Sequence, residues 1–262
     1  MTIDFEYAQR LGSLAVRAGM EILKLYDGDI AVETKDDQSP VTAADQAAED
    51  VILAELRGEL GLGHPIVSEE AAAAGYTPEV GSAFWLVDPL DGTKEFINKN
   101  GEFTVNIALI SNGEPILGVV HTPALGEIYI GYRNGDDRVA KVCLNDEWSD
   151  IACRPVPDRG IVALVSRSHR SPEVDEYIKD FDIGEAVSAG SSLKFCRVAE
   201  GVADLYPRLG RTMEWDTAAA HAVLVAAGGH VEMISGAPLT YGKPGFENPH
   251  FVAYGSGSLP GR

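Results

Sequence analysis

Residues 103–144 constrain the fold more strongly than any other part of the chain. Their apolar runs predict β-strands, and the dipeptides Asn112-Gly113 and Asn134-Gly135 are typical of tight turns between antiparallel strands. Shorter apolar runs at residues 65–68 and 85–87 predict further strands, each of which ends abruptly in acidic residues. The N-terminal half is therefore predicted to be an α+β structure that contains a meandering sheet.

Two helical patterns precede these strands. Apolar residues recur at helical spacing between residues 4 and 27, and Gly28 is a typical helix end. These apolar residues are Leu11, Leu14, Ala15, Ala18, Ile22 and Leu25. A second helix is predicted to begin at Thr42, whose hydroxyl can cap the segment. Its apolar positions are Ala48, Val51, Ile52 and Leu56.

The pattern changes after about Pro157, where strands and helices begin to alternate. The predicted elements are a buried strand at Ile161–Ser166, a helix with Pro172 at its first position, a helix from Ser191 or Ser192 to Gly201, and a helix from Asp216 to Gly228. Alternation of this kind predicts an α/β half. We therefore predict two domains, of residues 1–156 and 157–262.

The charge balance excludes several classes of protein. The chain has 262 residues with 21 Lys and Arg against 40 Asp and Glu, a net charge of -19. A protein with this negative charge is unsuited to general nucleic-acid binding and to docking on an anionic membrane, because both need a basic surface. No apolar run is long enough for a membrane span, and charges throughout the first 25 residues argue against a signal peptide. Three cysteines without a CxxC pair are typical of a reduced, cytoplasmic enzyme.

The acidic residues after the predicted strands suggest a metal site. Asp88 ends one strand and Asp91 follows on a turn, Glu69 ends another strand, and Asp216 lies at a predicted helix start. Carboxylates from several strand and helix ends are suitable ligands for Mg²⁺, which can activate water and neutralise a phosphate leaving group. The backbone after Asp91, at Gly92, could hold a phosphate at a helix start.

These carboxylates also have a structural explanation that involves no metal. An isolated DxxD is common, and Asp is frequent at strand ends and helix caps. Glu70, next to Glu69, could be solvated or could support its neighbour. The complete ordered set is much harder to explain by chance than any single pair.

These motifs resemble those of the lithium-sensitive, Mg²⁺-dependent inositol monophosphatase superfamily, in the same order and over residues 10–252. The matching motifs are Glu69-Glu70, Asp88-Pro89-Leu90-Asp91-Gly92-Thr93 and Trp215-Asp216. Further phrases resemble the bacterial 3′(2′),5′-bisphosphate nucleotidases of that superfamily. They are residues 39–45, residues 91–106, Ser166-Arg167-Ser168-His169 and residues 190–196.

The resemblance implies a layered αβαβα sandwich with two or three Mg²⁺ ions in its site. It implies one ion on Glu69, Asp88 and the backbone carbonyl of Leu90, and a second on Asp88, Asp91 and Asp216. It further implies that Thr93 and Glu69 orient the attacking water, that Asp45 tunes Thr93, and that the amides of Gly92 and Thr93 hold the phosphate. Asp91, Lys94, Ser191 and Asp216 are expected to contact substrate as well. In this scheme residues 1–156 carry most metal ligands, and residues 157–262 carry the last ligand and most substrate contacts.

The substrate side depends on three cationic or titratable residues. Arg208 stands where inositol-selective relatives have a carboxylate, and a guanidinium matches phosphate geometry. Lys194 could add a second positive contact, or its chain could lie over apolar neighbours with the ammonium in solvent. His169 could contact the nucleotide or be a turn residue, and Arg208 could be an ordinary surface arginine. His221 is read as a packed helix residue.

The resemblance implies a phosphomonoesterase that converts adenosine 3′,5′-bisphosphate to AMP and phosphate, with 3′-phosphoadenylyl sulfate as a possible second substrate. An inositol or sugar monophosphatase of the same superfamily remains open, as does a non-catalytic acidic protein that binds metals or anions. A monomer and a homodimer are both compatible with the sequence. The segment of residues 241–246 is short for the family, which is expected to affect substrate fit.

Overall fold

The computed structural model of the protein describes residues 3–26, 32–34, 40–135, 137–168 and 171–260, and side chains are not described for residues 32–34 and 40–42. The predictions for Gly28, for His169 and for the hydroxyl of Thr42 therefore lie outside what it describes. The helices are α1 (Phe5–Tyr26), α2 (Ala43–Leu56), α3 (Glu69–Ala73), α4 (Thr93–Ile97), α5 (Pro172–Ile178), α6 (Leu193–Ala199) and α7 (Ala218–Ala226), with 3₁₀ turns at Glu59–Gly61 and Pro244–Phe246. The first nine strands are β1 (Val32–Thr34), β2 (Pro40–Thr42), β3 (Ile66–Ser68), β4 (Ala83–Asp91), β5 (Thr104–Ser111), β6 (Glu114–Thr122), β7 (Glu127–Asn134), β8 (Asp137–Leu144) and β9 (Glu147–Asp150). The last five are β10 (Ile161–Ser166), β11 (Ile183–Ala189), β12 (Leu205–Arg208), β13 (His230–Met233) and β14 (Phe251–Tyr254).

The predicted meander is confirmed as part of a seven-stranded sheet with the order β3-β4-β5-β6-β7-β8-β9. Only the β3–β4 pair is parallel, and the other neighbours are antiparallel. At the β5–β6 turn Asn112 and Gly113 have φ values of 51° and 80°. These positive values match the twist of a tight hairpin and are why Asn-Gly pairs favour it.

Helices α1 and α2 cover one face of this sheet. The predicted apolar positions Leu11, Ala15 and Ile22 of α1 are fully buried against it, in a cluster that includes Trp85 and Val119. Helix α2 begins at the residue after Thr42, as predicted. The two N-terminal helical patterns therefore form the outer layer of the molecule.

A second, five-stranded sheet has the order β11-β10-β12-β14-β13. Helices α6 and α7 lie between the two sheets, and α5 packs on the outer face of the second one. The predicted αβαβα sandwich is thereby confirmed.

Of the five-stranded sheet the sequence pattern predicted β10 alone, and α7 begins two residues after Asp216, at Ala218. One hydrophobic cluster contains Tyr129 from the first half and Val223 from the second, so the division at residue 156 stays a prediction. No described helix has both the length and the apolar composition required to cross a membrane.

The contact between α7 and the first sheet depends on glycine. A Cβ added to Gly131 of β7 would lie 2.2 Å from the Cα of Val223 in α7. We expect Gly131→Ala to lower the free energy of unfolding by about 1–3 kcal/mol, because the helix would have to move outward. Urea denaturation would measure this effect, with Gly81→Ala as the control, since a Cβ at Gly81 meets open space. Equal stabilities of the two variants would contradict this packing argument.

Candidate metal centre

A bulge at the end of β4 places two carboxylates on the same face of the sheet. Asp88 pairs with Asn106, and Asp91 pairs with Thr104, so three steps along β4 match two steps along β5. Without the extra residue, Asp88 and Asp91 would point to opposite faces, because side chains alternate along a strand. Pro89 lies within the bulge, where the missing N–H costs no ladder hydrogen bond. The prediction that Asp91 lies on a turn beyond the strand is therefore wrong, since Asp91 is the last residue of β4.

Three carboxylates from different elements meet beside this bulge. Glu69 is the first residue of α3, directly after β3, and Asp216 lies in the turn before α7. Each of Glu69, Asp88 and Asp216 offers an oxygen within 4.8 Å of the others. The amide of Met213 donates to Asp216 at 2.9 Å and fixes one of its oxygens. This set of hard oxygen donors is suited to a divalent cation such as Mg²⁺.

The electrostatics of the carboxylate cluster also favour a bound cation. Burial, together with the charges of Glu69 and Asp91, raises the pKa of Asp88 well above its usual range. Burial and the neighbouring carboxylates also raise the pKa of Asp216, and burial raises that of Asp91 to about 7. Like charges held together out of water repel one another, and a bound cation removes that penalty. The residues present therefore fit a metal ion.

Asp91 is held by a polar network that the sequence analysis did not identify. The amide of Ser192 donates to Asp91 Oδ2 at 2.5 Å, and the hydroxyl of Thr104 lies 3.5 Å from the same oxygen. The Ser192 hydroxyl donates to Asn106 Oδ1 at 2.7 Å and lies 2.8 Å from Thr104 Oγ1. Thr104 and Asn106 are two residues apart in a strand that is apolar from Ile107 to Ile110, so they share a face. That pattern was the available signal.

The chain turns sharply between Asp91 and α4. Gly92 has a φ of 92°, in the left-handed region that residues with a side chain disfavour. This conformation turns the chain from β4 directly into α4, whose first residue is Thr93. The predicted phosphate-binding amides of Gly92 and Thr93 thus follow immediately after the last carboxylate of the strand.

A cavity of about 600 Å³ opens onto the carboxylates, a size suited to a small organic molecule. The predicted site residues that line it are Glu69, Asp88, Leu90, Asp91, Gly92, Thr93, Lys94, Ser191, Lys194, Arg208 and Asp216. Asp45 is not among the lining residues and is only 2% exposed, but its charge contributes to the raised pKa of Asp88. Glu95, Tyr206 and Thr212 also line the cavity and had not been predicted.

Two cationic side chains, those of Lys194 and Arg208, also line the cavity. Lys194 is 2% exposed, and its ammonium donates to the carbonyls of Ala189 (3.2 Å) and Ser191 (2.6 Å). The alternative in which this ammonium reaches solvent is therefore wrong. Burial lowers the pKa of Lys194 to about 8, while the charge of Asp91 opposes that shift. Arg208 donates through Nη2 to the carbonyl of Arg211, but its buried Nε has no partner among the described residues. A spare guanidinium donor therefore lies at the cavity wall.

The prediction that His221 is a packed helix residue is confirmed, and Trp85 also belongs to the core. Trp85 is fully buried, and its indole donates to the carbonyl of Gly61. His221 is buried, and its Nδ1 lies 2.8 Å from the hydroxyl of Tyr241. The short segment that starts at Tyr241 also supports the turn that carries Asp216, because the amides of residues 242 and 243 donate to the buried Glu214.

Known proteins are similar to this chain over nearly its whole length. A family model described as the inositol monophosphatase family matches residues 6–254. The 3′(2′),5′-bisphosphate nucleotidase CysQ of Salmonella typhimurium is 46% identical over 246 residues, which cover 93% of this chain and 97% of that protein. CysQ of Escherichia coli (strain K12) is 46% identical over 91% of this chain and 95% of its own. The crystal structure of CysQ from Bacteroides thetaiotaomicron, 38% identical, superposes with a TM-score of 0.76 over 94% of this chain and 95% of that one.

Proposed function

The chain belongs to the inositol monophosphatase family, and we propose that it removes the 3′-phosphate of adenosine 3′,5′-bisphosphate, leaving AMP and phosphate. The observation that carries this proposal is one cavity that is lined both by a carboxylate cluster and by the cations Lys194 and Arg208. The carboxylates suit a metal-assisted reaction at one phosphate, and the cations suit a second phosphate that does not react. The name shared by the 46% identical relatives supports the choice of substrate.

We propose Mg²⁺ as the cofactor, with two or three ions in the site. Glu69, Asp88 and the carbonyl of Leu90 would hold one ion, and Asp88, Asp91 and Asp216 would hold another. When bound, Mg²⁺ supplies Lewis-acid stabilisation of the phosphate oxygens and lowers the pKa of a coordinated water. The raised pKa of Asp88 supports this assignment, because the cation would keep the buried carboxylate ionised.

The protein's own groups would orient the reactants. Thr93 and Glu69 would accept hydrogen bonds from the attacking water and direct it at the phosphorus, with Asp45 behind Thr93. The amides of Gly92 and Thr93 would donate to the phosphate oxygens. The sharp turn at Gly92 places these amides directly after Asp91. Lys94 is exposed at the rim of the cavity and would add a positive charge there.

The non-reacting part of the substrate would lie against the cationic residues of the cavity. Arg208 and Lys194 would pair with the 5′-phosphate, Ser191 would contribute a polar contact, and His169 would contact the nucleoside. The 3′-phosphate of 3′-phosphoadenylyl sulfate would fit the same arrangement. The partner is thus a small-molecule nucleotide rather than a nucleic acid, in keeping with the charge of -19. A cytoplasmic location is proposed because Cys143, Cys153 and Cys196 are all free thiols.

A substrate panel tests the proposal. Phosphate release with Mg²⁺ would be measured on adenosine 3′,5′-bisphosphate, 2′-AMP, inositol 1-phosphate and fructose 1,6-bisphosphate. We expect kcat/KM to be at least about tenfold higher for the first than for 2′-AMP and inositol 1-phosphate, which have one phosphate each, since a charged hydrogen bond to a second phosphate stabilises by about 1.5–3 kcal/mol. A preference for inositol 1-phosphate would favour the monophosphatase alternative. No Mg²⁺-dependent release from any of them would favour the non-catalytic alternative.

A further inference from the structure

An ion pair outside the cavity joins three segments of the chain. The guanidinium of Arg167 donates to both carboxylate oxygens of Glu102, from Nε and from Nη2, at 2.8 Å each. Its Nη2 also donates to the carbonyl of Ser188 at 2.9 Å, and the amide of Gly190 donates to Glu102 Oε2 at 2.7 Å. The pair therefore connects the residue before Phe103, the end of β10 and the loop that leads into α6. We call residues 190–192, between β11 and α6, the α6 loop.

The α6 loop also packs closely against Glu102 and Glu95. A Cβ added to Gly190 would lie 2.7 Å from the carbonyl oxygen of Glu102 and 2.6 Å from Cγ of Glu95. Only glycine allows this approach without displacement of backbone. The hydroxyl of Ser168, next to Arg167, donates to Glu95 at 2.5 Å. Hydrogen bonds and shape thus hold the loop in one position.

The other end of the α6 loop reaches the cavity. Ser191 lines the cavity and has a φ of 45°, an unusual conformation for a residue with a side chain. The amide of Ser192 holds Asp91, and the ammonium of Lys194 holds the carbonyls of Ala189 and Ser191. A displacement of the loop at Gly190 would therefore be transmitted to the groups that face the substrate.

The pair is ionised at neutral pH and only partly shielded from water. Partial burial by itself would raise the pKa of Glu102, but the hydrogen bonds and charge of Arg167 and the amide of Gly190 together hold that pKa below its usual value. The side chains of Glu102 and Arg167 are 21% and 44% exposed. Variants of this pair should therefore fold, because neither leaves a fully buried charge without a partner.

We propose that Glu102 and Arg167 are positioning residues that fix the α6 loop and thereby set the affinity for the part of the substrate that does not react. Neither residue lines the 600 Å³ cavity, so both act through the loop. A loop that is already ordered costs no ordering entropy when substrate binds. The assignment of the affected ligand rests on the proposed function.

Loss of the pair should affect binding more than turnover. Asp91 keeps its contact with Thr104 on β5, which the α6 loop does not carry. Two of the groups proposed to contact the non-reacting part of the substrate depend directly on the loop, since Ser191 belongs to it and Lys194 donates to the carbonyl of Ser191. We therefore expect KM to rise about tenfold, as for one lost charge-assisted hydrogen bond, and kcat to change by less than about threefold.

The experiment compares Glu102→Gln, Arg167→Met and their double variant with wild type. The matched control is Glu55→Gln, which breaks the exposed Arg17–Glu55 pair between α1 and α2. Steady-state kinetics on adenosine 3′,5′-bisphosphate should give a raised KM in both single variants, with no further rise in the double variant, because the two residues form one unit. Arg167→Lys should recover part of the affinity, and the control should match wild type.

Hydrogen exchange of substrate-free protein gives a readout that does not depend on activity. Amides of residues 188–194 should exchange faster in Glu102→Gln and Arg167→Met, while those of α1 should not change. Unchanged exchange in both variants would overturn the proposal whatever the substrate is. Faster exchange with an unaltered KM, or a fall in kcat alone, would overturn the role in affinity. If the wild type does not hydrolyse the bisphosphate, the proposed function fails and the exchange experiment still decides whether the pair fixes the loop.

Discussion

Replacing Asp91 with asparagine is expected to lower kcat at least about a hundredfold while the protein stays folded. Asp91 lines the cavity beside Asp88 and Asp216 and is proposed to hold the second ion with them. An amide is a weak ligand for Mg²⁺, whereas the amide oxygen of asparagine can take the position of Oδ2 and accept the hydrogen bond from the Ser192 amide. Phosphate release at saturating substrate and Mg²⁺ measures the effect. The control is Asp50→Asn, which alters an exposed carboxylate on α2.

The stability of the metal-free protein checks the same assignment without turnover. Burial raises the pKa of Asp91 to about 7, against about 4 in an unfolded chain. Between these values the folded protein binds more protons than the unfolded chain, so the free energy of unfolding falls as pH rises from about 4 to about 7. Asp91→Asn should lose less stability over this window in chelator, and Mg²⁺ should raise its Tm by less than that of the wild type. Full activity of the variant, or of the wild type in chelator, would contradict the metal site.

Substitution of Arg208 separates the nucleotide substrate from its rivals. If its guanidinium pairs with the 5′-phosphate, Arg208→Ala should lower kcat/KM for adenosine 3′,5′-bisphosphate about ten- to a hundredfold, the value of one charged hydrogen bond. Arg208 lines the cavity, and its buried Nε has no partner among the residues that the structure describes, so the hydrogen-bonding capacity of its guanidinium is not used up within the protein. Activity on inositol 1-phosphate should change little, because that substrate has no second phosphate.

A charge reversal sharpens this test. Arg208→Glu should reduce activity on the bisphosphate further through repulsion and raise the relative activity on inositol 1-phosphate. Arg133→Ala, which removes an arginine from the exposed pair with Glu114, serves as the control. Equal losses on both substrates, or none on either, would remove Arg208 from the specificity argument and favour the inositol phosphatase alternative.

Much of the first sheet and its outer layer could be predicted because the signals are local. Asn112-Gly113 specifies a hairpin through the φ values of two adjacent residues, and the stripe on α1 repeats every three or four residues. Strands β11 to β14 were not predicted. Strand β12 has only four residues and includes Pro207, so its strand state depends on neighbours that are distant in the chain.

For the candidate site, too, some features follow from the sequence and others only from the tertiary structure. The sequence by itself determined which residue types are available, since Glu69, Asp88, Asp91 and Asp216 each follow or precede a recognisable element. The tertiary structure alone decided their geometry. Pairing with β5 turns Asp91 to the face of Asp88, and Ser192 meets Asp91 across 101 positions of sequence. It also buried the ammonium of Lys194, which its sequence neighbours had left free to reach solvent. Propensity and periodicity act over a few residues, whereas these contacts form only when two sheets close around α6 and α7.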